Sequence, residues 1–428
     1  MNSATPTDSA RPAFETANPH ALAVILEASE TRRIIAANDI FDLSGIKLWA
    51  AHKPVSAELQ RKLLDRRLRT PLESCLLAED GVTTATLVDA LHALAAGEHA
   101  LAPFVAPHAA RLVKEAAALP LHPVAQLLLT AAQTARRASF DHAIAAMALA
   151  GVLMAGQGGD APGIRLAMLA GLLHDLGEMY IDPRHGEAEA DRDLDFASYQ
   201  QLVVHPHVGR LLLTQLTNYP AALARAVAEH HERLDGSGYP HALTGAQLSP
   251  LGRLIAVTEA TLNALRSPGQ TLLHASIALR AVPGEFDLGW VGQISRAAVA
   301  LPPQPAAMEH GDIEVRLAAL GQVLGAAQAG VAAQFARSEL APHKEALALA
   351  AFLLGRLRTG WNESGMWNPR ALASADAAEV EAVEDELYFR LRGIQRATLL
   401  RAGQLPAREA AALEALCESL AMGAAVEA

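Results

Sequence analysis

Apolar residues recur three and four positions apart through residues 123–154 and again from Ile164 to about Gly177, the period of a buried or amphipathic helix, and Gly156 to Gly159 separates the two. Phe196 to Leu216 follows Asp195, which fits an N-cap, and Ala221 to Glu232 and Leu251 to Arg266 continue the helical pattern. Upstream the pattern is mixed. Residues 21–75 carry short runs of strand type, Ala23 to Leu26 and Ile46 to Trp49, broken by turn-like Asn38-Asp39 and Ser44-Gly45. Ser56 then precedes one amphipathic helix, and Thr84 and Thr86 precede another, Leu87 to Ala96, ended by Gly97. Downstream, Pro302, Pro303 and Pro305 mark a linker. Beyond it Ile313 to Phe335, Lys344 to Arg358, Ala377 to Arg396 and Pro406 to Met422 read as four amphipathic helices, with Trp361 and Trp367 in the connection at 360–369. The expectation is a mainly α protein: a tail over 1–20, a small α+β or helical module over 21–122, a helical core over 123–300 and a C-terminal helical bundle over 306–428.

Composition sharpens this reading in two ways. Hydrophobic residues make up 51% of the 428 and aromatics only 4%, with much alanine, which favours helix over sheet. The formal charge of −11 argues against a nucleic-acid polymer or an anionic membrane as partner, so an anionic ligand must be attracted locally, by metal or by a few arginines and lysines. Cys75 and Cys417 are too few for a disulfide framework or a cysteine zinc site. The start, to about Pro19, lacks the pattern of a secretory signal, and the apolar runs Ile144 to Met154 and Ile164 to Leu173 fall short of the roughly 20 residues of a membrane span. A cytoplasmic protein with no membrane partner is expected.

The candidate chemistry lies in the helical core. Its most specific stretch runs from His230 to Pro240, where two histidines are followed by Asp235-Gly236-Ser237-Gly238-Tyr239-Pro240. Neighbouring helical residues diverge by about 100°, so His230 and His231 can share a site only near a helix end. His174-Asp175 ends an apolar helix, where burying both groups is costly unless they bind a partner or a cation. His205 and His207, two apart, cannot share a helical face, so one is read as a ligand and the other as surface. His142 and Glu259 sit isolated among apolar neighbours. Singly, each of these has an ordinary packing explanation.

Together and in this order they resemble the HD-GYP family, a branch of the HD superfamily of metal-dependent phosphohydrolases best known for hydrolysing cyclic di-GMP. The matching pieces are His142, His174-Asp175-Leu176-Gly177, His205-Pro206-His207-Val208-Gly209, all of His230 to Pro240, and Glu259, within residues 125–300. The resemblance implies an HD-type helical bundle and two divalent ions, Fe or Mn by the mixture of imidazole and carboxylate. It also implies that His142, His174, Asp175, His205, His230, His231 and Glu259 are direct ligands, with Asp175 bridging. Asp175 and His174 would then be central to catalysis, on cyclic di-GMP or another phosphorylated nucleotide. Tyr239 is read as packing.

Three departures bear on activity. The family's Lys after His-Asp-x-Gly is Glu178, and the loop beyond it carries Glu187, Glu189, Asp191 and Asp193 against Arg184 and Arg192. The family's last Asp ligand is Glu259, and its Arg-Pro-x-Arg segment reads Arg266-Ser267-Pro268-Gly269-Gln270. Arg184 and Arg266 are the candidate substrate contacts. Two readings follow: an active phosphodiesterase, favoured by the intact histidines, or a non-catalytic signalling module that keeps the metals, favoured by Glu178. The appended helices can serve dimerisation or a signalling partner.

Overall fold

The computed structural model describes residues 14–182, 200–266, 269–301, 310–364, 377–400 and 405–422. The protein is mainly helical, with two small antiparallel strand pairs near its start. Helix α1 (Pro19–Ser29) is capped by Asn18, whose Oδ1 accepts from the backbone of His20 and Ala21. The strand expected at Ala23 to Leu26 is therefore helix. Its apolar residues bury one face against α6 (Pro123–Ala135), and that packing overrides a short run's β preference. Strand β1 (Ile34–Ala36) pairs with β4 (Leu76–Ala78), Ile34 opposite Ala78, and β2 (Ile40–Phe41) pairs with β3 (Lys47–Trp49). Helices α2 (Ala57–Leu63), α3 (Thr84–Ala96), α4 (Ala102–Val105) and α5 (Ala109–Ala116) complete this part, and Thr83 and Thr86 cap α3 reciprocally.

The continuous helix expected over 123–154 is two helices, α6 and α7 (Arg137–Gly156), broken at Arg136. Arg136 leaves helical geometry at φ −135° and ψ 65°. Its buried guanidinium donates to the carbonyls of Glu178 (2.8 Å) and Ile181 (3.3 Å). Helix α8 (Ala161–Leu173), capped by Asp160, lies along α7 and stops before His174, earlier than the pattern predicts. A 3₁₀ turn, Leu176–Tyr180, follows. Next come α9 (His205–Leu216), α10 (Ala221–Glu229), α11 (Pro250–Ala264), α12 (Leu272–Ala278) and α13 (Leu288–Ala300). The expected start of α9 at Asp195 and Phe196 lies outside the described residues, as do Arg184, the acidic stretch 187–193, Trp367 and Pro302 to Pro305.

One hydrophobic core runs from Phe14 to Ile294, so the N-terminal elements and the histidine-bearing helices are packed as one body. A second core gathers α14 (His310–Arg337), α15 (Ala341–Ser364), α16 (Ala377–Leu399) and α17 (Ala407–Met422), joined by Val282 from the first body. Helix α16 packs on α12. Among the described residues two helices, α7 and the Val315–Arg337 part of α14, are long and apolar enough to cross a membrane by length and composition. In α7, 72% of that apolar window is buried inside the protein, which makes it the central helix of the core.

Candidate metal centre

Five elements deliver their histidines and carboxylates to one place. His142 comes from the middle of α7, and His174 caps the C-terminus of α8 with Asp175 beside it. His205 opens α9 ahead of Pro206, His230 caps the C-terminus of α10, and Glu259 projects from α11. Because α10 stops at Glu229 rather than Glu232, His231 is released from the helix, and both rings reach the site with centroids 4.2 Å apart. His207 stays outside, half-buried beside His241, with ring centroids 6.4 Å apart.

The converging atoms fall into two groups of four, Asp175, His205, His230 and His231 in one and His142, His174, Asp175 and Glu259 in the other, each with ligand atoms within 4.8 Å of one another. Asp175 belongs to both. Its Oδ1 stands 3.3 Å from His205 Nε2 and 3.3 Å from His230 Nε2, and its Oδ2 stands 3.3 Å from His142 Nε2 and 3.1 Å from His174 Nε2. Glu259 Oε2 is 3.0 Å from His142 Nε2 and 3.1 Å from His174 Nε2. The extra methylene relative to the family's Asp thus still brings the carboxylate to the cage.

The tautomers test whether this set fits a cation. His174 Nδ1 donates to the Gly171 carbonyl at 2.7 Å, His205 Nδ1 to Leu202 at 2.6 Å and His230 Nδ1 to Val227 at 2.6 Å, each to the residue three positions back. A carbonyl only accepts, so Nδ1 carries a proton in each ring and Nε2 is the atom turned inward, where at His174 it faces the Asp175 and Glu259 carboxylates, which despite burial push its pKa well above the usual value. His205 Nε2 and His230 Nε2 then face one another at 2.9 Å as two acceptors, an arrangement that a cation between them relieves. Imidazole and carboxylate donors in this mixture fit a divalent transition metal. The cluster is able to hold such an ion.

Electrostatics separate the two groups of donors. Burial above all, then the neighbouring His231 ring, pulls the His230 pKa down to about 3, so that ring is an unprotonated ligand at neutral pH. At His142 burial disfavours the charged ring, but the Glu259 and Asp175 carboxylates outweigh it and push the pKa up to about 9. Burial alone would raise the Asp175 carboxyl. The imidazoles around it, His174 foremost, hold it well below the usual range.

The family model described as "HD domain" matches residues 104–282. Over 154 residues the chain is 36% identical to "Cyclic di-GMP phosphodiesterase PA4108" of Pseudomonas aeruginosa, a match covering 36% of each chain. It is 31% identical over 90 residues to "3'3'-cGAMP-specific phosphodiesterase 3" of Vibrio cholerae, covering 21% of this chain and 19% of that one. It is also 31% identical over 101 residues to "Cyclic di-GMP phosphodiesterase response regulator RpfG" of Xanthomonas campestris, covering 22% and 25%. Residues 104–282 thus carry an HD domain. The matches span little more than a third of the first relative's length and less of the others.

Several residues of the stretch from His230 to Pro240, and of the helix after it, play supporting roles that spacing alone did not reveal. Glu232 is fully buried yet is not among the grouped metal-type atoms. Its two oxygens accept from His241 N (2.7 Å) and Leu243 N (2.9 Å), which closes the loop that carries Tyr239 and Pro240. Tyr239 stacks on His231 with centroids 4.5 Å apart and planes 17° apart, so its ring packs against that imidazole. Gly236 takes φ +83°, where a side chain is strained, and Asp235 Oδ1 accepts from Ser237 N to fix the same turn. Asn263, one turn beyond Glu259, donates to Glu259 Oε1 at 2.6 Å, and Arg266 Nη2 lies 4.0 Å from that oxygen. The i+4 spacing of Asn263 from Glu259 was the available signal. Glu178 is buried, 2% exposed, and its carbonyl is the one that Arg136 holds.

Proposed function

We propose that the protein is a metal-dependent phosphodiesterase of the HD-GYP type acting on a cyclic dinucleotide, cyclic di-GMP or a related molecule. The observation that carries this reading is the sharing of Asp175 between two groups of four donors, with one oxygen turned to each. Two divalent ions, Fe or Mn, would be held by His205, His230 and His231 on one side and by His142, His174 and Glu259 on the other, with Asp175 bridging. When bound, such a pair supplies Lewis acidity and a deprotonated water for in-line attack on a phosphodiester. The chain's own work is to hold these ligands rigid. Backbone carbonyls fix the ring tautomers, Asn263 fixes Glu259, and Tyr239 fixes His231. The names of the relatives support the substrate class.

The second reading, a non-catalytic module that keeps its metals, is favoured by Glu178, an acid where the family has a lysine, a cation able to contact a phosphate. The deciding experiment is hydrolysis of cyclic di-GMP by anaerobically purified protein loaded with iron or manganese, beside Asp175→Asn. Turnover by the wild type that Asp175→Asn loses supports the enzyme. Stoichiometric bound metal with no turnover supports the second reading.

A further inference from the structure

Beside the metal centre lies a cavity of about 230 Å³ between the HD domain and the C-terminal helices. On one side it reaches His231, Tyr239, Asn263 and Arg266, and on the other α15 and α16 close it. The lining face of α16 is a helical stripe: Glu386, Phe389, Arg390, Gly393, Arg396 and Ala397. Arg390 is committed to Glu386 and Glu285 and Arg356 to Asp235, so these two tie the bundle to the HD domain. Arg396 stands one turn beyond Gly393 on the same stripe. Five arginines line the space against three carboxylates, Asp235, Glu285 and Glu386, in a chain of net charge −11.

Gly393 points to the purpose of the space. A glycine inside a helix costs about 1 kcal/mol relative to alanine, and here no atom lies within 4 Å of where a Cβ would stand. Packing does not require the glycine, and the room it leaves opens into the cavity. Apolar and aromatic walls (Leu353, Leu357, Phe389), an excess of arginine and a metal ligand at one end suit a base with its phosphate. The volume falls below the roughly 300–1,000 Å³ of pockets that enclose whole small ligands, which fits one half of a dinucleotide whose scissile phosphate lies over the histidines.

We propose that α15 and α16 supply the outer wall of the substrate site, with Arg396 binding a phosphate and Gly393 leaving room for one base, so that the C-terminal bundle provides the cation for the substrate's phosphate that an acid at position 178 cannot. This rests on the cyclic-dinucleotide reading above. The test is calorimetric binding of hydrolysis-resistant phosphorothioate analogues of cyclic di-GMP and 3'3'-cGAMP to the metal-loaded full chain. The variants are Gly393→Met and Arg396→Gln. Gly325→Met serves as a control, at another mid-helix glycine with open space around it and outside the cavity. Expected are a loss of affinity of roughly 10–100-fold in both test variants, with metal content unchanged and the control binding like the wild type. Unchanged affinity in either test variant overturns the proposal, and so does a wild type that binds neither analogue. Binding with the expected losses but without hydrolysis of the natural dinucleotides overturns only the phosphodiesterase reading.

Discussion

Gly177 lies so close to the backbone of His205 that a methyl group on it would overlap the His205 carbonyl oxygen and stand 2.8 Å from Gly209 N. The glycines of His-Asp-x-Gly and His-Pro-x-x-Gly therefore meet where the turn after Asp175 crosses the start of α9. Gly177→Ala should push His205 away from Asp175 and destabilise the fold by about 1–3 kcal/mol. Denaturant unfolding and metal analysis check this. A variant with wild-type stability and metal content would contradict the packing argument.

The two groups of donors predict separable losses of metal. His205→Ala should empty one side and leave the other filled, Glu259→Ala should do the reverse, and Asp175→Asn should weaken both. Each loss of a direct ligand should exceed the roughly 10–100-fold that removing a supporting partner costs, and Asn263→Ala should show that smaller loss on the Glu259 side alone. Elemental analysis of the purified variants distinguishes these patterns. Loss of both ions from His205→Ala would refute the independence of the two sides.

The convergence of these donors was largely legible in the sequence because most of them sit in short motifs at helix ends. His142 and Glu259 were legible only through the family pattern, since each is a lone polar residue on an apolar helix. Periodicity could not place the break at Arg136, because its cause is a pair of carbonyls more than forty residues away. Likewise the helix at Pro19–Ser29 depends on burial against α6, which a four-residue apolar run does not encode. The early end of α10 is a matter of local chemistry. Glu232, a good helix former by propensity, is instead drawn into the loop by the His241 and Leu243 amides.

Metal binding should release protons at neutral pH. In the ion-free cage Glu259 and Asp175 hold the His142 ring protonated up to about pH 9, whereas a divalent ion needs it neutral. Below that pH an ion on this side displaces the His142 proton, and His174, which the Asp175 and Glu259 carboxylates push well above its usual value despite burial, gives up another, so affinity rises with pH by up to about tenfold per unit for each proton displaced. The His230 ring, held down at about 3, is already neutral and adds no such dependence near pH 7. Calorimetry of Mn²⁺ binding at pH 7.5 in two buffers of different ionisation enthalpy measures the number released. Zero protons would show that the carboxylates do not charge His142.

The docking of the C-terminal bundle should depend on Arg356. Its Nε donates to Asp235 Oδ2 at 3.2 Å and its Nη2 to the Pro283 carbonyl, so one guanidinium bridges the motif turn and the segment after α12. Asp235 thereby has two tasks, Oδ1 shaping the Gly-Ser turn and Oδ2 receiving the bundle. Both partners are mostly buried, 29% and 9% exposed at the side chain, so the charge-assisted bonds are only partly screened. Arg356→Ala should weaken the contact by about 1–3 kcal/mol and raise hydrogen exchange across α15 and α16 while leaving α7 and α8 protected. Arg356→Lys should restore little, because a single ammonium cannot span two acceptors held in a planar fork. Exchange that rises equally in α7 would mean that the bundle and the HD domain unfold as one unit and that Arg356 is not a local latch.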